Sequence, residues 1–361
     1  MLTALITLFS WLALPVAAAC IADDWLLRPG RQIAAAPAAY RDGPVMAFAY
    51  YALPVVVAAG VIRLLASATL DFSLVLFLVA VVTGIVWLVD ASVLAKRRAR
   101  AAEAAGKSPA VVTEPGTVDY ARSFFPVAII VLLVRSFLFE PFRIPSDSMM
   151  PTLVDGDFIL VNKFDYGLRL PVIDKKIVSV GEPQRGDVVV FRYPPNPSEN
   201  YIKRVVGVPG DRVAVHDDEI VLNGKPVPTV ELGLYDDGCY EGMHLMRETL
   251  DDHSHEMMYC PATGDIGVAP LATCNRNLPE GYVCPASAPY GNEEHGSWPL
   301  HVIPPGHFFM MGDNRDNSSD GRYWGYVPEA NLIGKATWIW FNWDLHRSGG
   351  PIWSRIGKRI R

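Results

Sequence analysis

The amino-acid sequence predicts a mainly β domain anchored by N-terminal transmembrane α-helices, on two observations. Half of the 361 residues are apolar and 19% are charged, and the apolar ones crowd in before residue 140. Beyond that point, short runs rich in β-branched and aromatic residues alternate with turn signals. The formal net charge of −6 speaks against nucleic acid as a partner.

A membrane-spanning helix needs roughly 20 mainly apolar residues. Four stretches come close, at 2–22, 45–66, 72–95 and 123–139. The first ends in small residues, as a cleaved signal peptide would, but nothing basic precedes its apolar core. The second carries Pro54 and, near its end, Arg63, which can snorkel. The third, FSLVLFLVAVVTGIVWLVDASVLA, is the cleanest. Lys96, Arg97, Arg98, Arg100 and Lys107 follow it, and Arg28, Arg31 and Arg41 precede the second. Both basic groups are expected in the cytoplasm, which puts everything after residue 140 outside.

The expected organisation therefore starts with an extension holding two spans (1–66), a span (67–95), a basic cytoplasmic linker (96–119) and a further span (120–139). A β domain follows in two parts (140–224 and 301–361), divided by an acidic insertion (225–300). Candidate strands are 157–164, 187–191, 204–208, 212–216, 219–224, 307–312 and 335–343, with Asn223-Gly224 as a hairpin turn. This pattern suggests a barrel-like domain.

The insertion holds Cys239, Cys260, Cys274 and Cys284. An even count outside the membrane points to two disulfides, with three possible connectivities. His244, His253 and His255 lie nearby, yet no zinc-type spacing is present. A solvated, disulfide-stapled insertion is expected, and no metal. Cys20 reads as an ordinary buried thiol.

Residues 143–153 read RIPSDSMMPTL, with Ser146 and Ser148 between Pro145 and Pro151. A serine hydroxyl is a weak nucleophile and needs a base to take its proton. The eight histidines sit mostly in the insertion or in polar turns, outside any local motif. A lysine can serve instead, provided burial among apolar groups lowers its pKa by several units from about 10.4. The run YIKRVVGVPGD (201–211) offers Lys203. Strand alternation should send Lys203 and Arg204 to opposite faces, one buried and the other wet. An exposed strand lysine is the plainer alternative. Met149 and Met150 are expected to pack on Lys203, to dip into lipid, or to fill core. A third patch, MGDNRDNSSDGRYWG (311–325), is more charge-paired than a turn requires. Buried, such a cluster must be mutually hydrogen-bonded and could hold a lysine in place.

Together these patches resemble bacterial type I signal peptidase, or leader peptidase, of the serine-lysine dyad family. The likeness covers roughly residues 72–345 and rests on four motifs in the family's order: PSDSMMPTL (145–153), RGDVVVF (185–191), YIKRVVGVPGD (201–211) and GDNRDNSSDGRYWG (312–325). It implies a signal-peptidase-like β fold and a membrane-bound endopeptidase. Such an enzyme removes signal peptides from exported preproteins on the outer, periplasmic face of the inner membrane. By the resemblance, Ser148 is the nucleophile and Lys203 the general base. Ser146 and the backbone N–H of Ser148 form the oxyanion hole, and Ser318 orients the lysine. Asp320 and Arg322 form a supporting ion pair, with Asp313 in the same loop. Phe142, Ile144, Pro145, Leu153, Ile159, Tyr201 and Ile202 line pockets for small side chains at the −1 and −3 positions. The partners implied are signal peptides and membrane lipid, the protein is expected to be a monomer, and no cofactor is implied.

Departures are also visible. Asp147 stands between the serines where some members have Gly, and its side chain is expected to point away from the site. Gly321 replaces a small polar residue. Residues 1–66 lie outside the resemblance. Three other readings stay open: a non-enzymatic envelope protein, a peptidase that cuts itself, and a metalloprotease.

Overall fold

The computed structural model describes residues 2–35, 42–66, 72–170, 175–216, 219–236, 240, 242–259, 298–343 and 350–361. The chain forms two compact units. One holds Met1–Ser136 with Leu170–Asp174, and the other holds Phe137–Arg169 with Lys175–Arg361.

Among the described residues four helices are long and apolar enough to cross a membrane: Phe9–Ala34, Pro44–Arg63, Phe72–Ala104 and Gly116–Phe137. Large apolar side chains such as Leu14, Phe48, Val82, Leu88 and Ile130 are exposed on them, which suits lipid rather than water. The basic run is helical where it begins. Ala95–Ala104 continues the third helix, because Ala, Lys, Arg and Glu are strong helix formers. The N-terminal extension is tied to the last span by Asp24, which is fully buried. Its carboxylate accepts from the backbone N–H and the hydroxyl of Thr117, both at 2.7 Å. Tyr50 donates to it at 2.6 Å and Arg28 at 3.0 Å. The first N–H groups of a helix have no partner within it, so this carboxylate caps the start of Gly116–Phe137. Cys20 is a buried free thiol.

The second unit is built on a seven-stranded sheet. Its order is Phe139–Arg143, Asp157–Asn162, Leu332–Asn342, Val188–Arg192, Asn200–Gly207, His307–Met311 and Val327–Pro328. Its neighbouring strands run antiparallel. Among the described residues this sheet has two free edges and does not close into a barrel. Ile144, Leu153, Ile159, Val161, Val188, Val190 and Ile202 form a core beneath it. Met149 belongs to that core, and Met150 packs with Tyr240, Met243 and Met258. Both methionines are buried, so they fill core and are not exposed for dipping into lipid; unbranched thioether chains fill irregular core gaps.

The described part of the insertion holds regular structure despite its polarity. Thr229–Leu234, His244–Leu250 and His253–Tyr259 form a three-stranded sheet. The last two strands meet at Asp251-Asp252, with Asp251 at φ 51°, a conformation that Asp tolerates better than most residues. Cys239, Cys260, Cys274 and Cys284, and with them the disulfide expectation, lie outside the described residues.

Candidate active site

Three segments of the second unit converge. Lys203 sits in the strand Asn200–Gly207, paired with Val189 on one side. On the other side of that strand, Arg204 pairs with Met311. Residues 312–320 leave the sheet directly after Met311, so their loop starts beside Lys203. Ile144 anchors the serine segment: its N–H donates to Asp157 at 2.8 Å, and its carbonyl accepts from Gly156 at 3.0 Å.

The Lys203 ammonium donates to the Ser148 hydroxyl at 2.6 Å. The Ser146 hydroxyl lies 3.4 Å from that of Ser148. Lys203 is 3% exposed. Burial lowers its pKa from 10.5 to about 8, with Asp320 and Asp313 pulling it back up and Arg322 pushing it down. The plain exposed-lysine reading is thereby excluded. Lys203 also faces the ring of Tyr201, 5.7 Å from its centroid, as the two-residue strand period requires.

Arg204 is buried too, which corrects the expectation that one of the two cations stays wet. Its guanidinium meets both oxygens of Asp313, at 2.8 and 2.7 Å, and donates to the carbonyls of Gly186 and Arg361 at 2.6 and 2.9 Å. Alternation sends it to the other face, but a charge pair with added hydrogen bonds waits there. Thr152 donates to Asp313 at 2.5 Å. Burial works against the Asp313 anion, yet Arg204 holds its pKa below the usual carboxylate range.

Asp320 and Arg322 form the expected ion pair, with contacts of 2.9 and 3.0 Å. Asp320 also accepts from the Gly312 N–H at 3.0 Å. Ser318 is buried close to Asp320, but its hydroxyl makes no hydrogen bond of ordinary geometry. The bond from Ser318 to Lys203 that the resemblance implies is not formed. Asn314 joins the loop to the serine segment: its N–H donates to the Ser148 carbonyl at 3.2 Å, and its amide to the Asp147 carbonyl at 3.1 Å.

Of the residues matched to pocket linings, Ile144, Leu153, Ile159 and Ile202 are buried in the core. Leu153 and Ile159 are wholly enclosed and contribute no open surface. Phe142 and Tyr201 are half-buried and Pro145 is exposed, so these three border the open side. A cavity of about 550 Å³ opens elsewhere, between Arg185, Val208, Pro209 and His253, and includes none of the matched residues.

Sequence reasoning missed a second layer. Glu248 and His255 stand opposite each other on paired strands of the insertion. Both are buried, and their side chains approach to 3.3 Å. Burial would raise the Glu248 pKa, but Arg315, at 2.8 Å, and His255 hold it at about 2. Burial, helped by Arg204, lowers the pKa of His255. The signal was available: a strand-turn-strand pattern, HLMRETL-DD-HSHEMMY, puts Glu248 and His255 on one face. Thr152 and Asn314 lie in the motifs at 143–153 and 311–325, whereas Tyr240 carried no signal. Among the described residues no cluster suited to a metal ion is present.

Comparison with known proteins agrees with this geometry. Residues 117–343 match the family described as signal peptidase, peptidase S26. A protein named signal peptidase I from Pseudomonas fluorescens is 43% identical over 310 residues, which cover 80% of this chain and 99% of that protein. The one from Pseudomonas aeruginosa gives the same identity and coverage. A signal peptidase I from Haemophilus influenzae is 32% identical over 326 residues, covering 80% of this chain and 90% of its own. With a family match over more than half its length and relatives aligned almost end to end, this chain belongs to the signal peptidase family, peptidase S26.

Proposed function

We propose that this chain is a membrane-bound serine endopeptidase that removes signal peptides from exported preproteins, with Ser148 as nucleophile and Lys203 as general base. The observation that carries the reading is the 2.6 Å hydrogen bond between a buried lysine and Ser148. Neutral Lys203 takes the Ser148 proton as the hydroxyl oxygen attacks the scissile carbonyl. Ser146 and the Ser148 N–H hold the developing oxyanion, where one such donor is typically worth about 3 kcal/mol. Protonated Lys203 then delivers its proton to the departing amine. Water, deprotonated by Lys203, hydrolyses the acyl-enzyme.

The pKa of about 8 makes this workable. At pH 7 roughly one-tenth of the lysine is neutral, against about one part in 3,000 for an ordinary lysine. Asp320, Arg322 and Asp313 support the base electrostatically, and Ser318, buried beside Asp320, is the hydroxyl assigned to orient it. Small side chains at −1 and −3 enter a shallow cleft bordered by Phe142, Pro145 and Tyr201 and backed by Ile144 and Ile202, with Leu153 and Ile159 packed behind these as core. The enzyme works as a monomer with its catalytic unit on the periplasmic face. The clustering of basic residues before the second and after the third span supports that orientation.

The test is cleavage of a preprotein bearing an Ala-x-Ala site by the detergent-solubilised full chain. Ser148→Ala and Lys203→Ala should abolish cleavage while remaining folded, and Phe at −3 should block it. A folded Lys203→Ala variant that cuts at the wild-type rate would remove Lys203 as the base.

A further inference from the structure

Asp147 sits between the two serines, and its carboxylate is held by a residue from the insertion. The Tyr240 hydroxyl donates to Asp147 at 3.1 Å and accepts from the Asn317 side chain at 2.8 Å. Tyr240 is 3% exposed and packs with Met150, Met243 and Met258, so its ring is fixed. Asn317 belongs to the loop that also supplies Asn314, which binds the carbonyls of Asp147 and Ser148. The segment is thus gripped from two sides, at backbone by Asn314 and at side chain by Tyr240. A glycine between the serines would offer no side chain to grip.

We propose that Tyr240 is a positioning residue for the Ser146–Ser148 segment, acting through Asp147, a role that rests on Ser148 being the nucleophile. The hydroxyl fixes the Asp147 side chain on the insertion side. That sets the backbone between the two serine hydroxyls, and with it the oxyanion donors. The insertion, on this view, is part of the catalytic architecture. At 3.1 Å the bond is a long one for two oxygens, so Tyr240 acts by where it holds the side chain. Its loss should appear in the chemical step and leave substrate binding little changed.

The experiment compares Tyr240→Phe, Asp147→Ala, Asp147→Asn and the Tyr240→Phe/Asp147→Ala pair in the full chain, on the same preprotein, with Ser148→Ala as reference. Tyr240→Phe keeps the ring packing. It should lower kcat about tenfold with KM within twofold and an unfolding midpoint near wild type. Asp147→Asn keeps an acceptor for the Tyr240 hydroxyl and should lose clearly less than Asp147→Ala. The double variant should be no worse than the poorer single one. Wild-type kcat in Tyr240→Phe, with Ser148→Ala inactive, would overturn the role of Tyr240 and leave the nucleophile in place. Strictly additive losses that follow the unfolding midpoint would also overturn it, making the contact merely structural. An active Ser148→Ala would instead remove the nucleophile on which the proposal rests.

Discussion

Arg204 and Asp313 form a two-point ion pair, 2.8 and 2.7 Å, with both side chains 1% exposed. The pair lies one residue from Lys203 along the strand and one residue from Gly312 in the neighbouring loop. It fixes the strand that carries the base to the loop that surrounds it. Breaking a buried pair from one side leaves an uncompensated charge, typically at a cost of about 3–5 kcal/mol. Arg204→Met and Asp313→Leu should each destabilise the second unit by that order. The double variant should recover much of the loss. Denaturant unfolding of the three variants checks this.

Lys203 should cost stability. Its pKa is depressed in the folded chain, about 8 against 10.5. Between those values the unfolded chain binds more protons, so stability rises with pH across that window. Below about pH 8 the penalty is fully present, of the order of 3 kcal/mol. Lys203→Met should therefore be inactive yet more stable than wild type at pH 7, with the gap closing towards pH 10.5. Unfolding midpoints measured at several pH values read this directly.

Gly312 has no room for a side chain. An added Cβ would strike the Ser318 hydroxyl and come within 2.5 Å of the Ser148 carbonyl oxygen. Gly312→Ala must displace either the loop or the nucleophile's own backbone. A misplacement near 1 Å costs about 100-fold in rate. A loss of that order in kcat/KM is expected, and steady-state cleavage kinetics test it.

Glu248 should behave as a buried residue, although its surroundings in sequence read as a solvated insertion. It balances Arg315 at 2.8 Å. Glu248→Ala leaves that guanidinium unpaired and should destabilise by about 3 kcal/mol. A solvated position would give a change within about 0.5 kcal/mol. The unfolding midpoint of the single variant separates the two.

Much of this was legible in the sequence. The four spans follow from mainly apolar length, and Ser148, Lys203 and the Asp320–Arg322 pair come from motifs whose spacing survives folding. Arg204 was misjudged because alternation gives the face and says nothing of what waits on it. Here the occupant is Asp313, more than a hundred positions later in the chain. His255 and Glu248 were missed because acidic composition was taken for exposure, while titratable side chains can be buried against partners from another segment. Tyr240 could not be found at all. Its hydroxyl meets Asp147 across a gap of 93 positions, with no periodicity to announce it.

The most direct measurement is the pH dependence of kcat/KM for preprotein cleavage by the full chain. A lysine base with a pKa of about 8 predicts activity that rises with pH and levels off above that value. In Lys203→Ala, cleavage should be lost and the limb with it. A limb near 6.5 that persists in Lys203→Ala would assign the proton to a histidine and contradict the lysine base.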